Sequence, residues 1–184
     1  RYDRVIVFSD LQADFLSKLG VKEKKISVIP NGVDTEIWKP ANPDSQSSSQ
    51  IDIKQKLGKE RVFLYMGRIA AEKNVEALLR AWKFVDPKNC RLVIVGDGPL
   101  RSTLENNLAT ANGSDVLWWG YEANLMTKIT LLQCAEVFIL PSLVEGLSLS
   151  LLEAMASGTA CVATDAGADG EVLDNGAGII LSTQ

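Results

Sequence analysis

Short apolar runs recur along the chain, and a turn containing Gly, Asn or Ser follows each of them before a segment of helical character begins. Several runs lack polar alternation, which is typical of parallel strands covered on both faces. The repeated order of strand, turn and helix predicts βαβ units. The predicted strands are Val5–Phe8, Ser27–Ile29, Val62–Met66, Arg91–Val95, Val116–Trp118, Val137–Leu140, Ala160–Ala163 and Gly178–Leu181.

The segments between these runs carry apolar residues at helical spacing, which predicts amphipathic or buried helices. The predicted helices are Leu11–Leu19, Ile51–Leu57, Asn74–Phe84, Leu100–Ala109, Ala123–Gln133 and Leu149–Ala156.

One segment, Lys39–Gln50, interrupts this rhythm because it is polar and rich in Pro and Ser. Such a composition does not bury enough apolar surface to offset its own ordering entropy. We interpret the segment as an exposed, mobile linker. The alternative is a long surface loop inside one domain.

Length and charge limit the classes of protein to consider. A chain of 184 residues with 46% hydrophobic content can bury the core of one domain, or of one domain and a fragment. Nineteen Lys and Arg against twenty-three Asp and Glu give a net charge of −4, so no nucleic-acid partner is expected. Cys90, Cys134 and Cys161 lie beside apolar residues, which favours buried thiols and a cytoplasmic location.

Histidine is absent from the sequence. A Ser-His-Asp triad, a Cys-His pair and a His-based metal site are therefore excluded within these residues. Chemistry in this chain must use carboxylates, Arg, Lys and backbone amides.

Two basic residues follow a strong predicted strand. Gly67 and Arg68 stand at its carboxyl end, and Lys73 is predicted at the start of the next helix. In open parallel sheets ligands bind beyond the carboxyl ends of the strands, and helix N-termini attract anions. Arg68 and Lys73 could together hold a diphosphate without a metal, although two cations in a turn could equally be solvated surface residues.

A second glycine turn, at Gly96 and Gly98, lies between a predicted strand and helix. It resembles half of a dinucleotide fingerprint, but Arg101 stands where the third glycine should be. We therefore predict a structural role, in which glycine allows a tight turn and close helix packing.

A third candidate is the stretch from Glu145 to Glu153. Ser148 is placed to cap a helix from Leu149, and Gly146 would let the backbone approach a ligand closely. The amides of Gly146–Ser148 are expected to face the pocket as free donors. Glu153 lies among Leu, Ala and Met, which favours a mostly buried helix and an acid that binds paired hydroxyls; the alternative is that Glu153 is solvated on the outer helix face.

Together these motifs resemble the glycogen-synthase-like group of retaining GT-B glycosyltransferases. The resemblance covers Ile29–Asp34, Met66–Asn74, Val95–Pro99, the two glutamates of Glu145-x7-Glu153 and Ala156–Thr164, in the order and spacing of that family. Four motifs and the continuation at Ala156–Thr164, spread over most of the chain, make coincidence improbable.

The resemblance implies roles for the matched positions. Arg68 and Lys73 would contact the donor diphosphate, Glu145 the transferred sugar and Glu153 the ribose hydroxyls. Amides of the Gly146–Ser148 segment would assist at sugar and phosphate. The implied catalytic residues are Arg68, Lys73 and Glu145, and the implied donor-binding residues are Gly67, Gly120, Tyr121, Gly146, Leu147, Ser148 and Glu153.

The resemblance also implies a fold and partners. The expected fold is a Rossmann-like doubly wound parallel sheet with helices on both faces. Residues 1–34 would be a remnant of the last βαβ of an N-terminal acceptor domain, and residues 35–184 a donor domain that stops before its closing helices. The expected ligand is a nucleoside-diphosphate sugar, with no metal or other cofactor, and the resemblance allows peripheral association of a longer enzyme with the inner face of a membrane.

This chain departs from the family pattern in one loop. Family members commonly have two adjacent glycines where this chain has Gly167-Ala168, and a proline before the later glutamate where it has Gly170-Glu171. These changes bear on the shape of that loop. Rival functions on the same architecture are a nucleotide-sugar epimerase, a phosphorylase and a non-catalytic nucleotide-sugar-binding module.

Overall fold

The computed structural model describes residues 2–42, 48–58, 61–85, 89–108 and 116–183. All eight predicted strands are present, and their ends shift by one or two residues at most. The strands are β1 Val5–Val7, β2 Ile26–Val28, β3 Arg61–Met66, β4 Cys90–Val95, β5 Val116–Gly120, β6 Val137–Leu140, β7 Ala160–Thr164 and β8 Ile179–Leu181.

The strands form two parallel sheets. β1 pairs with β2, and the other six strands form one sheet in the order β5-β4-β3-β6-β7-β8. Every pairing between these neighbours is parallel. Counted from β3, this is the order 3-2-1-4-5-6 of dinucleotide-binding folds. The predicted Rossmann-like α/β fold is confirmed.

Seven α-helices connect the strands in the described residues, and six of them were predicted. The helices are α1 Asp10–Lys18, α2 Ser48–Leu57, α3 Val75–Trp82, α4 Arg101–Leu108, α5 Leu125–Cys134, α6 Leu149–Ala156 and α7 Asp169–Leu173. α2 begins at Ser48, so the predicted linker ends earlier than Gln50. Residues 43–47 of that linker lie outside the described part of the chain.

The core lies where β3, β4 and β6 meet the helices. Leu64, Leu92 and Phe138 have no exposed surface. One face of α3 is buried against them, at the i, i+3, i+4 and i+7 positions of an amphipathic helix. These positions are Val75, Leu78, Leu79 and Trp82. The six-stranded sheet is therefore a rigid base for the loops at its carboxyl edge.

The glycine turn after β4 has the predicted structural role. Gly96 has φ +137°, and a Cβ there would overlap the carbonyl oxygen of Gly67. The Gly67 N–H also donates to the Val95 carbonyl at 3.0 Å. Glycine at position 96 thus lets the turn after β4 lie directly against the turn after β3.

Two further features are the burial of the cysteines and the length of the helices. Cys90 and Cys161 are buried free thiols as predicted, and Cys134 is half-buried. No helix in the described residues is long and apolar enough to cross a membrane.

Candidate donor-binding site

The predicted site residues gather at the carboxyl edge of the sheet, where the strand order reverses. β3 lies between β4 and β6. β5 lies beyond β4 on one side, and β7 and β8 lie beyond β6 on the other. Gly67 and Arg68 follow β3, and Glu145 lies in the loop that follows β6. A crevice at this reversal is where open α/β sheets bind ligands.

The Gly67-Arg68 turn is held by a buried tyrosine. The Tyr65 hydroxyl donates to the Arg68 carbonyl at 2.7 Å. Burial, followed by the negative charges of Glu145 and Glu72, raises the pKa of Tyr65, so its hydroxyl stays a donor at neutral pH. The Arg68 side chain itself is exposed at the crevice.

Lys73 lies in a separate 3₁₀ turn, Ala71–Lys73, rather than at the start of α3. The predicted helix start was wrong because Asn74 adopts left-handed backbone angles, φ 52° and ψ 33°, and interrupts the helix. The turn nevertheless aims Lys73 at the crevice. Its Nζ lies 2.5 Å from Glu145 Oε1.

Glu145 is fixed by more than one contact. The Ser142 hydroxyl donates to the same Oε1 atom at 2.7 Å, and the Leu143 N–H donates to the Glu72 carbonyl at 2.8 Å. The side chain of Glu145 is only 9% exposed. Two predicted site residues 72 positions apart are thus in direct contact.

The loop Glu145–Ser148, which we call the donor loop, differs from the expectation of free amides. The Ser148 N–H donates to Asp169 Oδ1 at 2.8 Å, so it is not free. Ser148 does cap α6 as predicted, because its side chain accepts from the Leu151 N–H. A Cβ on Gly146 would lie 3.2 Å from the Phe8 ring, so it is a side chain of this protein that approaches the glycine closely.

Asp169, at the start of α7, was not among the predicted site residues. It is 1% exposed, and its Oδ2 atom is buried with no hydrogen-bond partner in the described structure. Burial raises the pKa of Asp169 to about 6, and the negative charge of Glu145 adds to this shift. The hydrogen bond from the Ser148 N–H and the positive charge of Lys73 act against it. The acid lies directly beneath the donor loop.

The raised pKa of Asp169 predicts a specific pH dependence of stability. The unfolded chain loses this proton near the ordinary value of 3.8 and the folded chain near 6, so the unfolded state binds fewer protons between these values. Stability contributed by this group therefore falls as pH rises from about 4 to 6. Compared with Asp169→Asn, the wild-type protein should lose at most about 3 kcal/mol across that interval.

Urea unfolding of both proteins from pH 4 to pH 7 measures this difference. Only the change of the difference with pH is diagnostic, because the Asn amide adds a constant cost where Oδ2 is buried. Parallel stability curves for the two proteins would contradict the raised pKa.

Glu153 is half-buried on α6, which is intermediate between the buried and the solvated positions that the sequence left open. Burial raises the pKa of its carboxyl, and the charge of Lys128 on α5 opposes this shift. α6 is also less buried than expected, because Leu149 at its start is 51% exposed. Glu153 therefore has a cationic neighbour and retains a path to solvent.

A cleft of about 370 Å³ opens beside the Gly67-Arg68 turn. Its lining includes Gly67, Arg68, Gly96, Tyr121, Glu122 and Lys128. Tyr121 is 75% exposed, so its ring is available to a ligand. Gly120 supports this wall from behind, because its carbonyl accepts from the Gly96 N–H at 2.8 Å.

The structure thus arranges the predicted residues in two groups. Lys73 and Glu145 form an ion pair near the donor loop, and Gly67, Arg68 and Tyr121 line the cleft. Among the described residues, no group of three or more Cys, Asp or Glu side chains could hold a metal ion.

Comparison with known sequences identifies the family. Residues 60–184 match the family described as Glycosyl transferases group 1. The chain belongs to this glycosyltransferase family. Residues 1–37 match a second glycosyltransferase description, Glycosyltransferase Family 4.

Two bacterial relatives show how this glycosyltransferase chain compares with whole enzymes. It is 36% identical over 160 residues to the UDP-Gal:alpha-D-GlcNAc-diphosphoundecaprenol alpha-1,3-galactosyltransferase of Escherichia coli, covering 82% of this chain and 39% of the relative. It is 34% identical over 167 residues to the alpha-monoglucosyldiacylglycerol synthase of Streptococcus pneumoniae, covering 88% of this chain and 37% of the relative. The chain therefore spans about two fifths of the length of these relatives.

Solved structures show the same fold. Anabaena HepE, in complex with UDP and glucose, superposes with a TM-score of 0.80 at 23% identity, over 98% of this chain and 49% of HepE. At this level of identity the likeness shows the fold of the glycosyltransferase chain.

Three residues of the candidate site were missed at the sequence level. Tyr65 lies inside an apolar strand, and Lys128 lies on a helix of mixed pattern, so neither stands out. Asp169 follows the Gly167-Ala168 pair, whose departure from the family pattern was the one available signal. Its burial depends on the packing of α7 against the donor loop, which no local pattern encodes.

Proposed function

We propose that this chain is the donor-binding half of a retaining glycosyltransferase, which transfers a sugar from a nucleoside diphosphate to an acceptor. The observation that carries the proposal is the Lys73–Glu145 ion pair at the strand-order reversal, with the exposed Arg68 following the neighbouring strand β3. Cations and a fixed carboxylate there match the two ends of a sugar diphosphate. Family membership and the fold support the same conclusion.

In this proposal Arg68 and Lys73 bind the diphosphate. During transfer the bond from the anomeric carbon to the diphosphate oxygen breaks, and a bond to an acceptor oxygen forms as that oxygen loses its proton. Negative charge grows on the departing nucleoside diphosphate. Two cations placed beforehand stabilise that charge without a metal ion.

Lys73 can bind phosphate and Glu145 at the same time. An ammonium group has three N–H donors, and Glu145 takes one of them at 2.5 Å. The remaining two are available to phosphate oxygens. The ion pair thus orients Lys73 before the donor arrives.

Glu145 would hold a hydroxyl of the transferred sugar. Its Oε1 atom already accepts from Lys73 and Ser142, which leaves Oε2 as an acceptor for the ligand. A carboxylate engaged in this way orients the sugar rather than acting as a nucleophile. Retention of the anomeric configuration belongs to the proposal on the strength of the family resemblance.

Uracil is the nucleobase that we propose first. The Escherichia coli relative is named for UDP-Gal, and the HepE structure contains UDP. The exposed Tyr121 ring in the cleft offers a surface for a base to stack on.

A calorimetric titration of this chain with UDP, GDP and ADP in excess EDTA tests the proposal. We expect at least one of the three to bind, with UDP the first candidate. Repeating the titration with Mg²⁺ in place of EDTA should leave the affinity within about threefold, since the site supplies its own positive charge. Absence of binding by all three nucleotides, or binding only with a divalent ion, would count against the proposed site.

A further inference from the structure

Asp169 is a buried acid that the proposed contacts with the donor do not use. Its side chain is 1% exposed, and its two carboxyl oxygens differ. Oδ1 accepts from the Ser148 N–H at 2.8 Å, whereas Oδ2 is buried and has no hydrogen-bond partner within the described residues. A buried carboxylate with one oxygen unpaired is costly, and a proton on that oxygen removes the charge. Asp169 can therefore gain a proton at Oδ2 while Oδ1 still accepts from the donor loop.

Backbone contacts fix the start of α7 against the donor loop. The Ala168 N–H donates to the Gly146 carbonyl at 2.9 Å, beside the hydrogen bond that Asp169 accepts. The glycine that precedes this pair lies so close to the Glu145 carbonyl oxygen that a Cβ there would overlap it. The buried acid is thus held next to the loop that carries Glu145, whatever the charge of either carboxyl.

The charges beside the donor loop do not balance when both of its acids are ionised. Glu145 is paired with Lys73, whose Nζ lies 2.5 Å from Oε1. Asp169 adds a second negative charge and, among the described residues, has no ion-pair partner of its own. One positive and two negative charges therefore meet here. A proton on Asp169 makes the group neutral.

The other titratable groups around α7 are exposed or uncharged. The helix packs on β7 and β8. β8 has no titratable side chain, and β7 has Cys161, whose pKa burial raises to about 12. Asp165 before the helix, Glu171 on it and Asp174 after it are exposed, so solvent screens their charges. Asp169 therefore responds mainly to the charges at the donor loop.

A bound diphosphate would increase the excess of negative charge. The proposed donor places phosphate oxygens at Lys73, so that one ammonium is then shared by Glu145, Asp169 and the ligand. A nearby negative charge disfavours the ionised form of a carboxyl. An anion that favours the protonated acid in this way must itself bind more tightly to the protonated protein, because the coupling is reciprocal.

We propose that Asp169 takes up a proton from solvent at Oδ2 when the nucleoside diphosphate binds, while Oδ1 keeps its hydrogen bond to the donor loop. Asp169 is a positioning residue in this scheme, because it contacts the loop and not the ligand. The inference rests on the proposed donor site and adds the regulation of that site by pH.

The sign of the pH dependence follows from the free protein. Burial already raises the pKa of Asp169 to about 6, and a bound anion raises it further. The free protein therefore loses this proton at a lower pH than the complex does. Affinity for the nucleoside diphosphate should fall as pH rises from about 6 to about 8.

Calorimetry in two buffers counts the protons that are taken up. UDP, with GDP and ADP in parallel, is titrated in EDTA at pH 7 in PIPES and in imidazole, which differ in ionisation enthalpy. Asp169→Asn keeps an oxygen acceptor for the Ser148 N–H but cannot gain the proton. For the nucleotide that binds, wild type should take up about half a proton or more beyond this variant. Titration of the nucleotide's own phosphate is common to both proteins and cancels in the comparison.

The affinities of the same two proteins give an independent readout. At pH 5.5 they should agree within about threefold, because Asp169 is then mostly neutral in wild type. At pH 8 Asp169→Asn should bind the nucleotide about fivefold or more tightly than wild type, at the low end of couplings between two sites. A merely structural role of Asp169 predicts a ratio that does not change with pH.

Two further variants serve as a second probe and as a control. Asp169→Ser is also uncharged and avoids placing an amide where Oδ2 is buried, and it should lose the same proton uptake. Asp174→Asn makes the matched substitution at the exposed end of α7 and should behave as wild type. Variants are compared at matched folded fractions, checked by circular dichroism.

Each outcome decides one of the two ideas. Proton uptake that is equal in wild type and in the Asp169 variants overturns the role of Asp169 and leaves the donor site standing. A constant affinity ratio from pH 5.5 to pH 8 does the same. Wild-type protein that binds no nucleoside diphosphate at all contradicts the proposed function itself, and the inference fails with it.

Discussion

Replacing Gly167 by alanine should lower the free energy of unfolding by about 3 kcal/mol or more, because strain and overlap add at this position. Gly167 has φ +84°, and a Cβ there would overlap the carbonyl oxygen of Glu145. The overlapped atom is backbone of the donor loop, so it cannot turn away as a side chain could. Donor affinity should fall with stability, since Glu145 would be displaced.

The matched control is the next residue. Ala168 has φ −80° and ψ −6°, which any residue adopts, and its N–H donates to the Gly146 carbonyl at 2.9 Å. Ala168→Gly keeps that hydrogen bond and should cost only about 1 kcal/mol, from lost methyl burial and added chain entropy. Urea unfolding measures both variants. Equal destabilisation by the two substitutions would contradict the special demand for glycine at position 167.

This pair also explains the departure from the family pattern. Of the two positions where glycines are common in the family, only the first needs left-handed backbone in this chain. An alanine at the second position therefore leaves the loop shape intact.

Replacing Arg68 by alanine should weaken nucleoside diphosphate binding by about 1.5–3 kcal/mol, the scale of a hydrogen bond to a charged group. Its side chain is exposed, so the free energy of unfolding should change by no more than about 0.5 kcal/mol. Calorimetry in EDTA and urea unfolding measure the two quantities. Arg80→Ala, which removes another exposed arginine, paired with Glu76 on α3, is the control and should leave binding unchanged.

Lys73→Ala should weaken binding to a similar extent and also lower stability. Its ion pair with Glu145 is only 23% and 9% exposed at the two side chains. Loss of Lys73 leaves that carboxylate half-satisfied, at a cost of about 1–2 kcal/mol. Unchanged affinity in both the Arg68 and the Lys73 variants would place the diphosphate elsewhere.

The strands and most helices could be predicted because local patterns determine them. Val137–Leu140 and Leu149–Ala156 are present with the predicted bounds, since an unbroken apolar run and a Ser cap mark their ends. The start of α3 could not be predicted in the same way. Asn74 adopts left-handed backbone angles, which Asn tolerates better than most residues but which the residue type alone does not require.

The positions of Arg68, Lys73 and Glu145 at the carboxyl edge of the sheet could be predicted because motifs fix both residue type and spacing. Asp169 and Lys128 depend on packing across the chain instead. An acid at the start of a short helix is typical of a solvated cap. Only the placement of α7 under the donor loop removes Asp169 from solvent.

The donor loop is contacted by the first 31 residues of the chain as well as by the start of α7. Phe8 packs on Gly146, and the Asn31 side-chain amide donates to the Leu147 carbonyl at 2.9 Å. On α7, whose Asp169 binds the loop, Glu171 accepts from the Leu11 N–H at 3.0 Å. These contacts link the position of the first two strands to the shape of the loop, and such a linkage is reciprocal. If the proposed donor orders this loop, it would also stabilise the first two strands, and any ligand of those strands would change donor affinity by the factor by which the donor changes the affinity for that ligand.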